Sequence, residues 1–149
     1  MSELAKFLVK AKGHSYASGK KATKIEGGFN EFAFEDGDFM YKDKYHARDP
    51  NPFGGEEVVW HKGEAVWMMN FYGFMLDQEI DSKVVYEFLR KAMSLVREER
   101  PFRGPSEFVD GDFKYTDESE GDVARFKGTE RIFFRGREVY RLHYHGGAV

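Results

Sequence analysis

Cysteine is missing from the 149-residue sequence. Its absence excludes a disulfide framework, a thiolate nucleophile and a thiolate metal site, and it fits a cytoplasmic location. Long hydrophobic runs are missing as well: the most apolar stretch, 66–76, contains Asn70 and Gly73 and is too short to span a bilayer. Residues 1–13 lack the apolar run and cleavage site of a signal peptide. We therefore expect a cytoplasmic protein with no membrane partner.

An excess of charge of one sign is also missing. The chain has 23 basic and 26 acidic side chains and a net charge of −3. Proteins that bind nucleic acid usually concentrate basic residues on one face, whereas the densest basic group here, Lys20, Lys21 and Lys24, is short. We expect no direct contact with nucleic acid. Aromatic residues, in contrast, make up 17% of the chain, which indicates sheet faces packed by aromatic side chains.

Two stretches of the chain occur twice in related form. Residues 36–43 read DGDFMYKD and residues 110–117 read DGDFKYTD, which agree at six of eight positions. Residues 53–73 read FGGEEVVWHKGEAVWMMNFYG, and residues 126–146 read FKGTERIFFRGREVYRLHYHG. Because both matches occur in the same order, the sequence indicates an internal duplication.

Each copy is predicted to contain one helix followed by four strands. The helices are expected at about 2–12 and 81–97, where apolar residues recur every three or four positions. The copies span about 1–76 and 77–149 and form one domain with a pseudo-twofold axis. The predicted fold class is α+β, with two α-ββββ units, largely antiparallel strands and both helices packed on one side. One sheet, two sheets and an open barrel all remain compatible with the sequence.

The turn residues predict two hairpins in each copy. The Asp-Gly dipeptides at 36–37 and 110–111 suit type I′ turns, and Lys-Gly at 62–63 and Arg-Gly at 135–136 are expected to be the turns of the second hairpins. Two-residue loops at these positions fix which residues lie opposite each other.

The predicted pairing places Phe34 opposite Phe39, and Glu57 opposite Met68. Alternation along the second hairpin then puts Trp60 and Trp67 on the face that packs against the helices. The other face is mixed in character. It is expected to carry Glu57, Val59, His61, Val66, Met68, Asn70 and Tyr72 in the first copy, and Glu130, Ile132, Phe134, Val139, Arg141, His143 and His145 in the second.

Residues 13–24 read GHSYASGKKATK and raise the possibility of a phosphate-binding loop. A Walker A loop has four residues between its first glycine and Gly-Lys, then Ser or Thr, and it follows a strand. Here five residues separate Gly13 from Gly19, Lys21 replaces the hydroxyl, and a helix precedes the loop. The first copy is instead about seven residues longer here than the second. Such an insertion either adds function or is a tolerated surface loop.

His143 and His145 are two residues apart on a strand and therefore share a face. With Glu130 as a third ligand they would resemble part of a metal site. However, Glu130 is predicted to lie opposite Arg141, and the first copy has no equivalent histidines. We therefore assign no metal and no cofactor.

Glu57 and Glu130 occupy equivalent positions in the two copies. If the copies face each other, these carboxylates could converge near the pseudo-twofold axis. Paired carboxylates act as general acid and base when their environments separate their pKa values. The alternative is two cross-strand salt bridges, and the sequence leaves both interpretations open.

Three segments carry a resemblance to a known family: GEEVVWHKGEAVWMMNFYG, RPFRGPSEFVDGDFKY and the terminal YRLHYHGG. Together they resemble an uncharacterised domain family of unknown function, over nearly the whole chain. Members of that family occur alone or C-terminal to an XRE-type helix-turn-helix. The resemblance implies a sensor or interaction module and brings no catalytic residues.

We predict a small-ligand-binding or sensor module whose ligand is a small anionic or polar metabolite. The two lysines of the inserted loop are expected near the mouth of its pocket. The predicted binding residues are Glu57, Asn70, Tyr72, Glu130, His143, His145, Lys20 and Lys21. One alternative is a hydrolase or isomerase that uses the Glu57 and Glu130 carboxylates or the histidine pair. The other is a structural or oligomerising protein, and a homodimer is compatible with either.

Overall fold

The structure, a computed structural model, describes residues 2–48 and 50–149. In this part of the chain there are two α-helices, α1 (Ser2–Gly13) and α2 (Ser82–Met93), and two short 3-10 turns, Tyr16–Ser18 and Glu26–Gly28. The strands are β1 (Thr23–Lys24), β2 (Asn30–Asp36), β3 (Phe39–Ala47), β4 (Phe53–His61), β5 (Glu64–Met75), β6 (Glu107–Asp110), β7 (Phe113–Asp122), β8 (Arg125–Phe134) and β9 (Arg137–Ala148).

All nine described strands form one antiparallel sheet in the order β1-β2-β3-β4-β5-β9-β8-β7-β6. The sheet is not closed, because β1 and β6 are its two edges. The α+β class is thus confirmed, and the question of one sheet, two sheets or a barrel is answered by one open sheet. Both halves run from a helix through an antiparallel meander, and they meet at the β5–β9 pair. The internal duplication itself stays a prediction.

The two helices form where apolar residues recur every three or four positions. In α2 the Asp81 side chain accepts a hydrogen bond from the Lys83 backbone N–H, which satisfies one of the free donors at the helix start. The helix ends at Met93, earlier than expected, and Arg97 then forms an isolated bridge with Arg100. No helix among residues 2–48 and 50–149 is long and apolar enough to cross a membrane.

Both first hairpins turn one residue later than predicted. Asp36 pairs with Phe39, so that the loop is 37–38, and its glycine has φ +60°. The glycine at 111 has φ +59° in the equivalent loop. A single positive φ at the first loop position is the pattern of a type II′ turn, which glycine adopts without strain. Phe34 therefore lies opposite Tyr41, and the predicted Phe34–Phe39 pairing is wrong.

Both second hairpins have the expected turns but an unexpected bulge. Lys62 and the glycine after it have φ of 53° and 86°, as a type I′ turn requires. The register then shifts between Val59 and Trp60, so that Glu57 lies opposite Met69 and not Met68. The same shift in β8 places Glu130 opposite Leu142 rather than Arg141.

The bulges reverse the predicted faces of β4 and β8. An extra residue in one strand of a hairpin changes the pairing beyond it by one position. Residues that would have shared a face with their partners on the neighbouring strand then lie on the opposite face. Glu57 and Val59 consequently lie on the face covered by the helices, whereas Trp60 lies on the uncovered face and is half-buried. The prediction for β5 is correct in that Trp67 is fully buried.

The core lies between the two helices and one face of the sheet. Each helix packs a phenylalanine on the first hairpin of its own half: Phe7 stacks on Phe39 with ring centroids 4.9 Å apart, and Phe88 stacks on Phe113 at 5.0 Å. The opposite sheet face has no helix over it among the described residues.

Candidate functional site

A cavity of about 140 Å³ lies on the covered side of the sheet, in the first half of the chain. Its floor comes from β3 and β4, and its walls come from the end of α1, the 3-10 turn that follows it, and α2. An apolar cavity of about this size, roughly 150 Å³, accommodates benzene in another protein. Four tyrosines line it, namely Tyr16, Tyr41, Tyr45 and Tyr86.

Asp43 is the unusual residue of this cavity. It lies on β3 directly opposite Glu57 of β4 and is only 7% exposed. Its Oδ1 atom is buried and has no hydrogen-bond partner among the described residues. Burial raises the pKa of Asp43 well above its usual value, and the neighbouring Glu57 carboxylate raises it further; Lys12 and Arg103 oppose the rise.

Glu57, in contrast, has a cationic partner. The Lys12 ammonium group of α1 pairs with the Glu57 carboxylate, and both side chains are almost completely buried. Lys12 also donates a hydrogen bond of 2.9 Å to the backbone oxygen of Phe102. This pair ties α1 to β4 and leaves Asp43 as the carboxyl group without a partner in the described part of the cavity.

The tyrosines around Asp43 remain neutral at physiological pH. Burial raises the pKa of Tyr45 to about 12, and the nearby Asp43 adds to the rise. Burial also raises the pKa values of Tyr16, Tyr41 and Tyr86. Each hydroxyl group is therefore a neutral hydrogen-bond donor or acceptor, and each ring presents an apolar wall.

The mouth of the cavity is strongly basic. A wider groove continues outward from it and shares Tyr16, Tyr45, Pro50 and Tyr86 with the cavity. Five side chains that line the groove are cationic: Lys20, Lys21, Lys24, Lys83 and Arg90. Among the described residues that line the groove, one is anionic, Glu87, and it pairs with Arg90. On a chain with a net charge of −3, this concentration of positive charge is local to the mouth.

The second half of the chain repeats the carboxyl pair in a different state. Asp117 on β7 lies directly opposite Glu130 on β8, just as Asp43 lies opposite Glu57. Here the residues between α2 and β6 occupy the adjacent space. Arg103 donates two hydrogen bonds of 3.0 Å to Glu130, and the Arg100 guanidinium lies 3.4 Å from the Asp117 carboxylate.

Further hydrogen bonds complete this second network. Tyr115 and Tyr140 donate to Glu130, and the Tyr144 hydroxyl donates to Asp117 at 2.8 Å. Burial raises the pKa of Asp117 to about 7, and the Glu130 carboxylate contributes to the rise; the hydrogen bond from Tyr144 lowers it, and so does Arg100. Both carboxyl groups of the second half thus face a guanidinium, and the first half keeps a cavity.

The structure separates the predicted site residues into three places. Glu57 lines the cavity, and the two lysines of the inserted loop, Lys20 and Lys21, line the groove at its mouth. Glu130 lies on the same covered face, but Arg103 and two tyrosines take up its oxygens. It is therefore the partner of Arg103 rather than of Arg141, and it does not share a face with the histidines.

The remaining predicted residues lie on the uncovered face of the sheet. Asn70 pairs with His145 across the β5–β9 ladder, and Tyr72 pairs with His143. Both histidines are exposed, and His143 lies 3.3 Å from the Thr129 hydroxyl. The prediction that these four residues share a pocket with Glu57 and Glu130 is wrong, because the bulges place the two glutamates on the other face.

Sequence reasoning missed Asp43 and the tyrosines of the cavity. A signal was present in the repeated octapeptides, where Tyr41 and Asp43 recur as Tyr115 and Asp117. Residues two apart on a strand share a face, so a Tyr-x-Asp pattern that recurs beside buried aromatic residues indicates a carboxyl group on the core side.

Comparison with known families supports the resemblance. The model of a domain of unknown function, DUF5680, matches residues 43–149, a stretch that begins at Asp43 and contains both carboxyl pairs. Searches of curated proteins and of solved structures found no match. The link to helix-turn-helix regulators stays a prediction. Because the match covers well over half of the chain, the protein belongs to the family of the domain of unknown function DUF5680.

Proposed function

We propose that this protein is a cytoplasmic binding module that holds the polar head of a small ligand in the cavity beside Asp43. A carboxyl group that is 7% exposed and lacks a partner for Oδ1 in the described chain carries the proposal. Buried polar atoms in folded proteins are nearly always hydrogen-bonded, and an unpaired one costs about 1–3 kcal/mol. A ligand that donates a hydrogen bond to Asp43 would remove that cost.

The walls of the cavity suit this role. Ligand sites are typically concave and mostly apolar, with a few polar groups that orient the bound molecule. Here the rings of Tyr41, Tyr86 and Phe71 supply apolar surface, while Asp43 and the tyrosine hydroxyls supply the polar groups. The Lys12–Glu57 pair fixes the floor before any ligand arrives, which limits the entropy lost on binding.

A thermal-shift screen tests the proposal. The screen would use neutral, anionic, cationic and zwitterionic metabolites on the wild type, on Asp43→Leu and on Asp117→Asn. Asp43→Leu removes the free acceptor, whereas Asp117→Asn changes the equivalent residue whose surroundings are already filled. We expect at least one compound to raise the melting temperature of the wild type and of Asp117→Asn but not of Asp43→Leu.

Two results of the screen would contradict binding at Asp43. One is an equal shift in all three proteins, because the compound would then bind elsewhere. The other is no shift from any class of compound. Circular dichroism of each variant at low temperature would first establish that it folds.

Acid–base catalysis is the second candidate function. Asp43 and Glu57 are direct neighbours, yet Asp43 has a raised pKa and forms no salt bridge with any described residue, whereas Glu57 pairs with Lys12. Neighbouring carboxyl groups in unlike environments can serve as acid and base. This pair replaces the Glu57–Glu130 pair that the sequence left open as an alternative. Mass spectrometry of a bound compound after incubation would show conversion by an enzyme and no change with a binding module.

A further inference from the structure

The carboxyl pair of the second half, with its two guanidinium partners, indicates which chemical group suits the cavity of the first half. In both halves an aspartate and a glutamate lie opposite each other on neighbouring strands, and a tyrosine lies two residues before the aspartate. The two sites differ in the cations that accompany them. Asp117 and Glu130 each face a guanidinium, from Arg100 and Arg103, whereas in the first half Lys12 pairs with Glu57 alone.

The buried salt bridges around the cavity do not include Asp43. Lys12 with Glu57 and Arg103 with Glu130 are two neutral pairs, so that an ionised Asp43 would be the uncompensated charge of the cavity. An ionised carboxylate is not stable in such a place unless a cation joins it. A cation would also lie among tyrosine rings, whose faces attract positive charge.

We propose that the ligand is a zwitterion whose guanidinium or ammonium head pairs with Asp43 and whose anionic group lies among the lysines at the mouth. This proposal rests on the proposed function and specifies the chemical class of its ligand. In the first half the ligand's head takes the place that the Arg100 guanidinium has beside Asp117.

The anionic group follows from the mouth of the cavity. Lys20, Lys21, Lys24 and Lys83 line the groove and form no salt bridge with any described residue. A ligand with positive charge alone would be repelled on its way to Asp43. A carboxylate or phosphate at its other end would instead be attracted, because clustered charges on one side of a cleft raise the local concentration of their counter-ion.

Three amino acids and one amine serve as probes that separate the two charges of the ligand. Arginine has a guanidinium and a carboxylate, lysine has an ammonium group instead, citrulline has a neutral ureido group of the same shape, and agmatine lacks the carboxylate. We expect calorimetric titration of the full chain to show binding of arginine or lysine. Citrulline and agmatine should each bind at least about tenfold more weakly, a difference of about 1.4 kcal/mol.

Variants of the protein test which residues bind the cationic group and the anionic group of the ligand. Asp43→Asn keeps a hydrogen-bond acceptor but loses the charge, so it should weaken arginine or lysine binding at least about tenfold, while Asp117→Asn should bind as the wild type does. A Lys20→Gln, Lys21→Gln double variant should weaken arginine binding and leave agmatine binding unchanged. The same titration at higher salt should weaken arginine binding further.

A further measurement uses the wild type alone and therefore does not depend on whether the variants fold. Burial raises the pKa of Asp43 well above its usual value, so the free protein favours the protonated form of this carboxyl group more than an exposed aspartate would. Binding of a cationic head would ionise it and release a proton. Titrations in two buffers with different heats of ionisation should therefore show release of up to one proton per bound arginine or lysine.

The outcomes distinguish this proposal from the proposed function. No binding of arginine, lysine or agmatine at about 10 mM would overturn the cationic head, as would citrulline binding as tightly as arginine or no proton release. Agmatine binding as tightly as arginine would overturn the anionic group. If a neutral compound binds the wild type and Asp43→Asn but not Asp43→Leu, the binding module stands and the zwitterion fails. If no compound of any class binds, both fail.

Discussion

Two aspartates in equivalent positions show how neighbours decide the state of a buried carboxyl group. Asp43 and Asp117 both follow a buried tyrosine by two residues and both lie opposite a buried glutamate. Asp117 receives a hydrogen bond from Tyr144 and lies near Arg100, whereas Asp43 has neither kind of partner among the described residues. The difference comes from other segments of the chain, which give Asp117 its partners and give Asp43 Oδ1 none among the described residues.

At the residue scale we predict a pH dependence that Asp117 causes. Its pKa is about 7 in the folded protein and about 3.9 in an unfolded chain. The folded state thus binds more protons than the unfolded state between about pH 4 and pH 7, and the free energy of unfolding falls as the pH rises through that window. The loss attributable to Asp117 is on the order of 4 kcal/mol.

Urea unfolding of the wild type and of Asp117→Asn between about pH 4.5 and pH 7.5 would measure this dependence. The wild type should lose stability relative to the variant as the pH rises, because asparagine does not titrate. Asp110→Asn, at the exposed end of β6, is the matched control and should follow the wild type. Parallel curves for the wild type and Asp117→Asn would contradict the prediction.

At the scale of elements, the bulges in β4–β5 and β8–β9 determine which residues reach the core. A hairpin without the bulge would place Trp60 under the helices and Glu57 on the solvent side. With the bulge, a charged residue lies under the helices and a tryptophan lies outside. The pairing of Glu57 with Lys12 of α1 is the arrangement that makes this register acceptable, because the buried carboxylate then has a cation.

The two tryptophans should therefore differ in their contribution to stability. Trp67 is fully buried, and Trp67→Ala should cost about 3–5 kcal/mol of unfolding free energy. Trp60 is half-buried on the uncovered face, and Trp60→Ala should cost about 1 kcal/mol. Urea denaturation followed by far-UV circular dichroism would compare them. Equal losses would contradict the bulge in the β4–β5 hairpin.

The contact between α1 and β4 leads to a prediction about Lys12. Lys12→Met leaves Glu57 buried without its cation and should destabilise the protein by about 3–5 kcal/mol. Adding Glu57→Gln to that variant should recover much of the loss, because the uncompensated charge is then removed. Lys6→Met, at an exposed position of the same helix, is the control and should change stability little. A double variant as unstable as Lys12→Met would contradict the pairing.

At the scale of the whole molecule, the two halves share one core. Lys12 donates to the Phe102 backbone oxygen, the Trp67 indole N–H donates to the Val123 backbone oxygen at 3.0 Å, and β5 pairs with β9 along the centre of the sheet. Residue 103, from the second half, also lines the cavity of the first. The site is thus a product of both halves.

We therefore expect the protein to unfold as one unit. Tryptophan fluorescence, which reports on the first half only, and far-UV circular dichroism, which reports on both, should give coincident urea transitions. Fragments 1–76 and 77–149 should each remain unfolded alone, because each would expose a strand at the centre of the sheet and half of the core. Two separate transitions, or a folded fragment, would contradict a shared core.

The sequence by itself determined the local features of this protein and its family. Helix stripes, turn glycines and alternation along strands depend on residues close together in the chain, so both helices and all four hairpins could be predicted. The tertiary structure alone decided the strand register and the site. A bulge is an extra residue opposite a neighbouring strand, and it has no mark in the alternation of one strand. Which aspartate finds an arginine depends on where residues 100–103 pack, and that is a property of the folded core.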